Sequence, residues 1–114
     1  VQVNSGIDIQ FRKNEPTFSL TSEAELSIFR GVQEAITNAM RQGHATRITV
    51  LLMYNPSQLV VTIKDNGTGA LDLAPKGGLK SLQERLRAEG GSVTLEASNP
   101  GVTVQMILPN TEKQ

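Results

Sequence analysis

The segment 58–65 (QLVVTIKD) constrains the fold most, because its apolar residues alternate and the alternation ends on an acid. Leu59, Val61 and Ile63 share one face of a predicted strand, and Asp65 continues the same phase. If the three aliphatic side chains point into a core, so does the carboxylate, which is costly to bury without hydrogen-bond donors. The alternative is that the strand ends one residue earlier and that Asp65 begins a turn.

The residues that follow Asp65 weaken the turn interpretation. Asn66-Gly67-Thr68-Gly69 comes first, and Gly77-Gly78 then opens a predicted helix, so that four of the ten glycines fall between residues 67 and 78. A helix N-terminus preceded by glycines presents free N–H groups to an anion. Neither the GxxxxGK[ST] phosphate loop nor a GxGxxG after a first strand is present. The segment therefore predicts an anion site of another type.

Hydrophobic periodicity and turn residues predict five strands and two helices. Thr21 and Ser22 are both plausible N-caps of the first helix, and Glu25 completes a capping-box pattern with Ser22. This helix runs to about Gln42, and Gly90-Gly91 ends the second. The predicted strands are 7–11, 47–54, 58–65, 92–98 and 102–108. The two hairpins favour an α+β, two-layer sandwich, with a largely antiparallel sheet and helices on one face, over a doubly wound parallel sheet.

The first predicted helix has a polar face opposite its apolar stripe. The apolar stripe consists of Leu26, Phe29, Val32, Ile36 and Ala39. Glu34 and Asn38 lie one turn apart on the other face, with Gln42 a turn further and Arg41 nearby. A solvated helix face is one interpretation. The other is a magnesium and phosphate face, because Mg²⁺ takes one or two such oxygen ligands together with phosphate oxygens. With Asp65 and the glycine loop, the pattern predicts a nucleotide pocket.

Composition excludes several other classes of protein. The 114 residues (12.3 kDa) suit one domain, and eleven basic residues balance eleven acidic ones, so the broad attraction to nucleic acid is missing. No apolar run is long enough to span a membrane. The absence of cysteine and the presence of one histidine, His44, exclude thiolate chemistry and paired-imidazole metal sites. We expect His44 to be a loop residue. The start at Val1, without a signal peptide, predicts a cytoplasmic segment of a longer protein.

Several stretches together resemble the ATP-binding catalytic domain of sensor histidine kinases, which has the Bergerat fold of the gyrase, heat-shock chaperone, histidine kinase and MutL ATPases. They are IFRGVQEAITNAMRQGHATRITVLL (28–52), KDNGTG (64–69), GGLKSLQERLRAEGGSVTLE (77–96) and GVTVQMILP (101–109). The resemblance covers about residues 5 to 109 and is strongest to the branch of nitrate and hexose-phosphate sensors. It implies that residues 1–114 form a single ATP-binding catalytic domain, without the dimerisation and phosphoacceptor region.

The resemblance implies roles for residues around the adenine. Asp65 would accept a hydrogen bond from the adenine amino group, and Gly67 and Gly69 would admit the ring. The resemblance also implies that Asn66 and Thr103 belong to the nucleotide-binding residues.

The resemblance also implies roles around the phosphates. Asn38 would ligate a Mg²⁺ ion that bridges the phosphates, and Glu34, also a metal-site residue, would polarise a metal-bound water or assist proton removal. Arg41 would contact phosphate. Gly77, Gly78 and Leu79 would let the lid and helix N-terminus approach the phosphate chain, and Lys76 would partly replace lost backbone contacts by its charge.

The implied function is transfer of the ATP γ-phosphoryl group to a histidine outside this chain. The implied partners are ATP, the phosphoacceptor helix of the same protein (dimeric in full length) and a response regulator; nucleic acid and direct membrane contact are not expected. Gln42, Lys76, Ser81 and Val102 depart from the family pattern. Lys76, Ser81 and Val102 motivate one alternative, a degenerate pseudokinase that serves as a binding module. A second alternative is an anti-sigma-factor serine kinase.

Overall fold

The computed structural model describes residues 6–69, 73–98 and 100–110, and Asn99 of the second predicted hairpin turn lies outside them. It contains five strands and two helices close to the predicted positions. In chain order they are β1 (Asp8–Lys13), α1 (Ser22–Arg41), β2 (Arg47–Tyr54), β3 (Gln58–Asp65), α2 (Gly77–Ala88), β4 (Ser92–Ala97) and β5 (Val102–Pro109).

The five strands form one sheet in the order β1-β2-β3-β5-β4. Only β1 and β2 pair in parallel, and α1 supplies the crossover that a parallel connection needs. The other neighbours pair antiparallel. Both helices pack on the sheet and against each other, which confirms the two-layer α+β sandwich. None of the helices in the described ranges is long and apolar enough to cross a membrane.

The strands and α2 bury the residues that their periodicity indicates. Leu59, Val61 and Ile63 of β3 are buried, as are Val104 and Met106 of β5. The predicted stripe of α2 is buried in full: Leu79, Leu82 and Leu86. These side chains fill the space between the sheet and the helical layer, and they position the end of β3 beneath α1.

The predicted apolar stripe of α1 is partly wrong. Leu26 and Phe29 are 46% and 59% exposed, although Ala39 is buried as expected. The buried face of the helix carries mostly small residues: Ala24, Ser27, Ile28, Gly31, Ala35 and Ala39. Close approach explains this choice, because a methyl group on Gly31 would overlap Leu82 and lie 2.8 Å from Met106 Cε. Residue size, rather than hydrophobicity, therefore selects the packed face.

The start of α1 also differs from the capping-box pattern. Thr21 is the N-cap, and its Oγ1 accepts a hydrogen bond from the N–H of Ala24 at 3.1 Å. Ser22 is the first helical residue, so the expected pairing of Ser22 with Glu25 does not form. The N–H of Glu25 instead donates to the backbone oxygen of Thr21 at 2.9 Å.

Thr21→Ala is expected to lower the free energy of unfolding by about 1 kcal/mol, because an N–H of the first turn loses its acceptor. The matched variant Ser22→Ala is expected to change it much less. Urea unfolding followed by circular dichroism measures both values. An equal loss in the two variants would contradict the assignment of Thr21 as the cap.

Tyr54 at the end of β2 introduces a pH dependence. Its ring packs edge-to-face on Phe18 with centroids 5.1 Å apart. Burial raises the pKa of the Tyr54 hydroxyl above 10.0, and the charges of Glu25 and Glu15 raise it further. The folded state thus holds the phenol proton more tightly than the unfolded chain does.

We therefore expect the contribution of this hydroxyl to stability to be complete below pH 10.0, the ordinary tyrosine pKa. It should be lost as the pH rises through the higher pKa of the folded state. Denaturant unfolding at several alkaline pH values, compared between the wild type and Tyr54→Phe, measures the effect. A difference between the two that does not change with pH would count against it.

Candidate nucleotide-binding site

A cavity of about 710 Å³ lies between the polar face of α1, the N-terminus of α2, and the adjoining ends of β3 and β5. Predicted site residues that line it are Glu34, Asn38, Asp65, Gly69, Lys76, Gly77 and Leu79. Gln42 and Val102, which depart from the family pattern, line it as well. Residues from both helices and from the ends of β3 and β5 therefore meet at one cavity.

Asp65 is the last residue of β3 and is only 8% exposed. It pairs with Ile48 of β2, so the strand does not end before it, and the alternative of a simple turn is wrong. Its Oδ1 accepts hydrogen bonds from the N–H groups of Gly67 at 2.8 Å and Val102 at 3.3 Å. Within the described ranges, its Oδ2 has no such donor. One carboxylate oxygen is thus fixed by the backbone, and the other is available to the cavity.

Close backbone contacts hold the loop around Asp65. A Cβ atom on Gly67 would overlap the carbonyl of Gly43, and one on Gly101 would overlap the backbone of Asp65. Gly101 also has a positive φ of 94°, which other residues rarely adopt. The N–H of Thr68 donates to the Gly43 oxygen at 2.8 Å. These contacts join the end of α1 to the loop that follows β3, and they restrict the orientation of the carboxylate.

The polar face of α1 forms one long side of the cavity. Glu34, Asn38 and Gln42 follow one another at single-turn spacing, and all three line it. At 1.5 Å per residue, Glu34 and Gln42 lie about 12 Å apart along the helix axis. Gly43, directly after Gln42, is the residue that touches the loop beside Asp65. The helix therefore links the acid at one end of the cavity to Glu34 at the other.

The N-terminus of α2 borders the Glu34 end of the cavity. Lys76 occupies the N-cap position but makes no side-chain capping bond, and the first turn of α2 contains no acidic residue. Gly77 has a φ of 55°, and Gly78 brings Glu34 close, since a Cβ there would lie 3.0 Å from Glu34 Cδ. Without a capping side chain, the first N–H groups of α2 remain available to an anion.

Five predicted site residues lie outside the cavity lining, and the side chains of two of them, Asn66 and Thr103, make other contacts. Asn66 uses its side chain internally, since its Oδ1 accepts from the N–H groups of Thr46 and Arg47 at 2.9 Å each. Thr103 lies out of phase with Val102 on β5, and its hydroxyl is 2.8 Å from that of Ser98. Neither side chain lines the cavity, and the contacts of Asn66 and Thr103 with a nucleotide stay predictions from the resemblance.

The other three are Arg41, Gly67 and Gly78. The Arg41 side chain is exposed and is not among the residues that line the cavity, although position 41 lies one turn after Asn38. The contact between Arg41 and phosphate stays a prediction from the resemblance. Gly67 supports Asp65 through its N–H rather than lining the cavity. Gly78, which we assigned to the lid, lines a neighbouring cleft instead.

The sequence analysis missed other lining residues, among them Ala35, Gly43, Thr68, Leu95 and Val104. Two of them could have been predicted from the sequence. Ala35 follows Glu34 directly, and Val104 shares the strand phase of Val102. Leu95 required knowledge that β4 pairs with β5, because its register partner is Val104. Gly43 required the contact with Gly67, which no local pattern indicates.

The described residues contain no cluster of three or more acidic, histidine or cysteine side chains that could hold a metal ion by themselves. The donors that fit Mg²⁺ are the Glu34 carboxylate and the Asn38 amide oxygen, which line the same cavity one helical turn apart. Mg²⁺ is commonly held by one or two protein oxygens and completed by phosphate and water. This donor set fits a metal that enters together with a phosphorylated ligand.

No protein-family model matches the chain. The chain is 36% identical to the sensor histidine kinase YxjM of Bacillus subtilis over 84 residues, which is 73% of this chain and 21% of that protein. It is also 31% identical to the sensor histidine kinase LiaS of the same bacterium, over 88% of this chain and 31% of the relative. The chain thus spans roughly a fifth to a third of the relatives it matches.

Solved structures with the same fold include the ATP-binding domain of PrrB from Mycobacterium tuberculosis. The TM-score is 0.69 at 23% identity, over 94% of this chain and 82% of that one. The histidine kinase ThkA, solved in complex with the response regulator TrrA, gives a TM-score of 0.69 at 19% identity, over 92% of this chain and 34% of that one. The chain is thus similar in sequence to part of several sensor histidine kinases, and it has the fold of the ATP-binding catalytic domain of such kinases.

Proposed function

We propose that this chain binds ATP together with Mg²⁺ and is the catalytic domain of a longer two-component sensor histidine kinase. The observation that carries the proposal is the Asp65 carboxylate, which has one oxygen held by backbone N–H groups and the other available to the 710 Å³ cavity. The sequence relationship to sensor histidine kinases supports the reaction class. The domain would lie on the cytoplasmic side, where ATP is available.

Asp65 favours adenine through the chemistry of its free oxygen. A carboxylate oxygen accepts a hydrogen bond from the exocyclic amino group of adenine, whereas guanine has a carbonyl oxygen at the same ring position and would be repelled. Val102 and Val104 supply aliphatic surface beside the acid, which suits the faces of a purine ring. Because Oδ1 is already fixed by Gly67 and Val102, Asp65 needs little reorganisation when the base binds.

The phosphates would then extend along α1 toward the N-terminus of α2. The axial distance of about 12 Å between Gln42 and Glu34 suits a nucleoside triphosphate that runs from the Asp65 end to the Glu34 end. The open N–H groups at Gly77 and Gly78 and the ammonium of Lys76 would balance phosphate charge. Glu34 and Asn38 would hold Mg²⁺, which when bound supplies positive charge against the phosphate oxygens.

The transfer step moves the γ-phosphoryl group of ATP to a ring nitrogen of a histidine outside this chain. The bond between the γ-phosphorus and the β,γ-bridging oxygen breaks, ADP leaves with that electron pair, and a phosphorus–nitrogen bond forms. The imidazole proton is lost, and Glu34, which lines the cavity, would accept it. Catalysis then comes mainly from positioning and charge neutralisation, as in other phosphoryl transfers.

The partners follow from this reaction. The phosphoacceptor histidine would belong to a helix of the same full-length protein, dimeric as the resemblance implies, and a response regulator would receive the phosphoryl group next. The solved complex of ThkA with TrrA supports such a partner. We also propose that the protein belongs to the branch of nitrate and hexose-phosphate sensors, on the motifs quoted above.

Asp65→Asn is expected to weaken ATP binding roughly 10- to 100-fold, the usual effect of a lost charge-assisted hydrogen bond. The asparagine oxygen can still accept from Gly67 and Val102, so the fold should persist. Titration of a fluorescent ATP analogue measures the dissociation constant, with Asp8→Asn on β1 as the matched control. Unchanged binding in Asp65→Asn would remove the basis of the proposal. Failure of the wild type to bind at millimolar nucleotide would favour the pseudokinase instead.

Asn38→Ala is expected to abolish the increase in nucleotide affinity that Mg²⁺ produces, because one of two protein oxygens for the metal is lost. Arg41→Gln, three residues away but outside the cavity, should retain the full increase. The same titration, run with magnesium and with a chelator, compares the variants. A metal effect that disappears in Arg41→Gln and survives in Asn38→Ala would contradict the arrangement.

A further inference from the structure

A second cleft lies between α1 and α2, next to the proposed nucleotide site. Its volume is about 540 Å³, and it shares Glu34 with the first cavity, which borders it through Gly77 and Gly78. Arg30 from α1 and Arg85 from α2 both line it. The function proposed above uses neither arginine, so the cleft needs an explanation of its own.

Arg85 makes a contact that keeps it at the cleft, and neither arginine has an acidic partner among the described residues. Arg85 Nη1 lies 3.4 Å from the hydroxyl of Ser27, which is only 2% exposed and lies one turn before Arg30 on α1. This contact holds Arg85 against the turn that carries Arg30. Within the described ranges, neither guanidinium forms an ion pair with a carboxylate. Two cations that share a cleft repel each other, and a bound anion relieves that repulsion.

The third charged group that lines the cleft is Glu34, which contacts Gly78 at the boundary with the nucleotide cavity. The cleft thus has a negative end facing the phosphates and a positive region further along the two helices. An anion that enters would contact Arg30 and Arg85 and stay away from Glu34. Such a position leaves the Glu34 end open for a group that reacts with the nucleotide.

The exposed apolar residues of α1 point to a protein segment rather than a free ion. Leu26, Arg30, Gln33 and Thr37 follow at spacings of four, three and four residues and therefore share one face of α1. The side chain of Leu26 is 46% exposed, and that of the neighbouring Phe29 is 59% exposed. A face with apolar residues beside arginines that lack acidic partners suits an amphipathic helix that carries acidic side chains.

We propose that this cleft binds a carboxylate of the helical segment that brings the phosphoacceptor histidine to the nucleotide, and that Arg30 and Arg85 recognise it. The inference rests on the proposed function, because it assigns the substrate of the same active site. A guanidinium binds a carboxylate through charge-assisted hydrogen bonds, which fix orientation as well as supply affinity. Arg30 and Arg85 thereby act as specificity-determining residues, since they position the incoming segment and take no part in the chemical step.

A binding experiment tests the cleft without requiring phosphoryl transfer. The probe is an alanine-based helical peptide with glutamates at i and i+4 next to a leucine, and the matched peptide has glutamines in their place. Titrated into the ¹⁵N-labelled chain, the acidic peptide should shift the amide signals of Ser27, Gly31 and Ser81 with saturation. The glutamine peptide should bind at least about tenfold more weakly.

Variants decide whether the arginines are responsible. Arg30→Gln and Arg85→Gln should each weaken peptide binding about tenfold, whereas Arg87→Gln, also on α2 but outside the cleft, should bind as the wild type does. The two single variants keep the test informative if one of them fails to fold. Peptide binding that is insensitive to both changes would overturn the proposal. So would saturable shifts with inorganic phosphate alone and none with the acidic peptide.

ATP titration of the same samples separates this inference from the proposed function. Acidic-peptide binding that depends on Arg30 and Arg85, with ATP affinity unchanged within twofold, supports the inference. If the acidic peptide does not bind while ATP does, the inference alone is overturned. If ATP does not bind while the peptide does, the proposed function is overturned, and with it the assignment of the segment as a substrate. In the full-length protein, Arg30→Gln should reduce the rate of histidine phosphorylation about tenfold at saturating ATP, and Arg87→Gln should leave it unchanged.

Discussion

The hydrogen bonds that hold the Asp65 carboxylate are the interaction on which the site depends. A carboxylate at the inward end of a strand is costly unless donors surround it, and here the donors are backbone N–H groups of Gly67 and Val102. They come from two strand ends that lie far apart in sequence, so the site exists only when β3 and β5 are paired. Folding and formation of the ligand site are therefore the same event for this residue.

Alternation along β3 was enough to predict that Asp65 lies inside, and glycine content predicted the loop and the start of α2. The packed face of α1 could not be predicted in this way, since hydrophobicity alone selected Leu26 and Phe29. The deciding factor was the close approach of α1 to Leu82 and Met106, whose side-chain ends a Cβ at position 31 would overlap. That distance is a property of the assembled layers, and no local segment contains it.

The positions assigned by resemblance divide in a physically consistent way. Residues in the inward phase of an element, such as Asp65 and Val102, line the cavity, whereas the out-of-phase residue Thr103 does not. Asn66 lies next to the acid in sequence, yet its amide closes the turn against Thr46 and Arg47. Side-chain phase is thus a stricter criterion for a site residue than nearness to a motif.

The tight packing of α1 has a consequence for how the two clefts work together. A side chain at position 31 would overlap the ends of the Leu82 and Met106 side chains, so α1 lies close against both α2 and β5. Glu34 and Arg30 are one turn apart on this helix, about 6 Å along its axis. In the proposed function, helical rise therefore sets the spacing between the end of the nucleotide cavity and the arginines that would receive the acceptor segment.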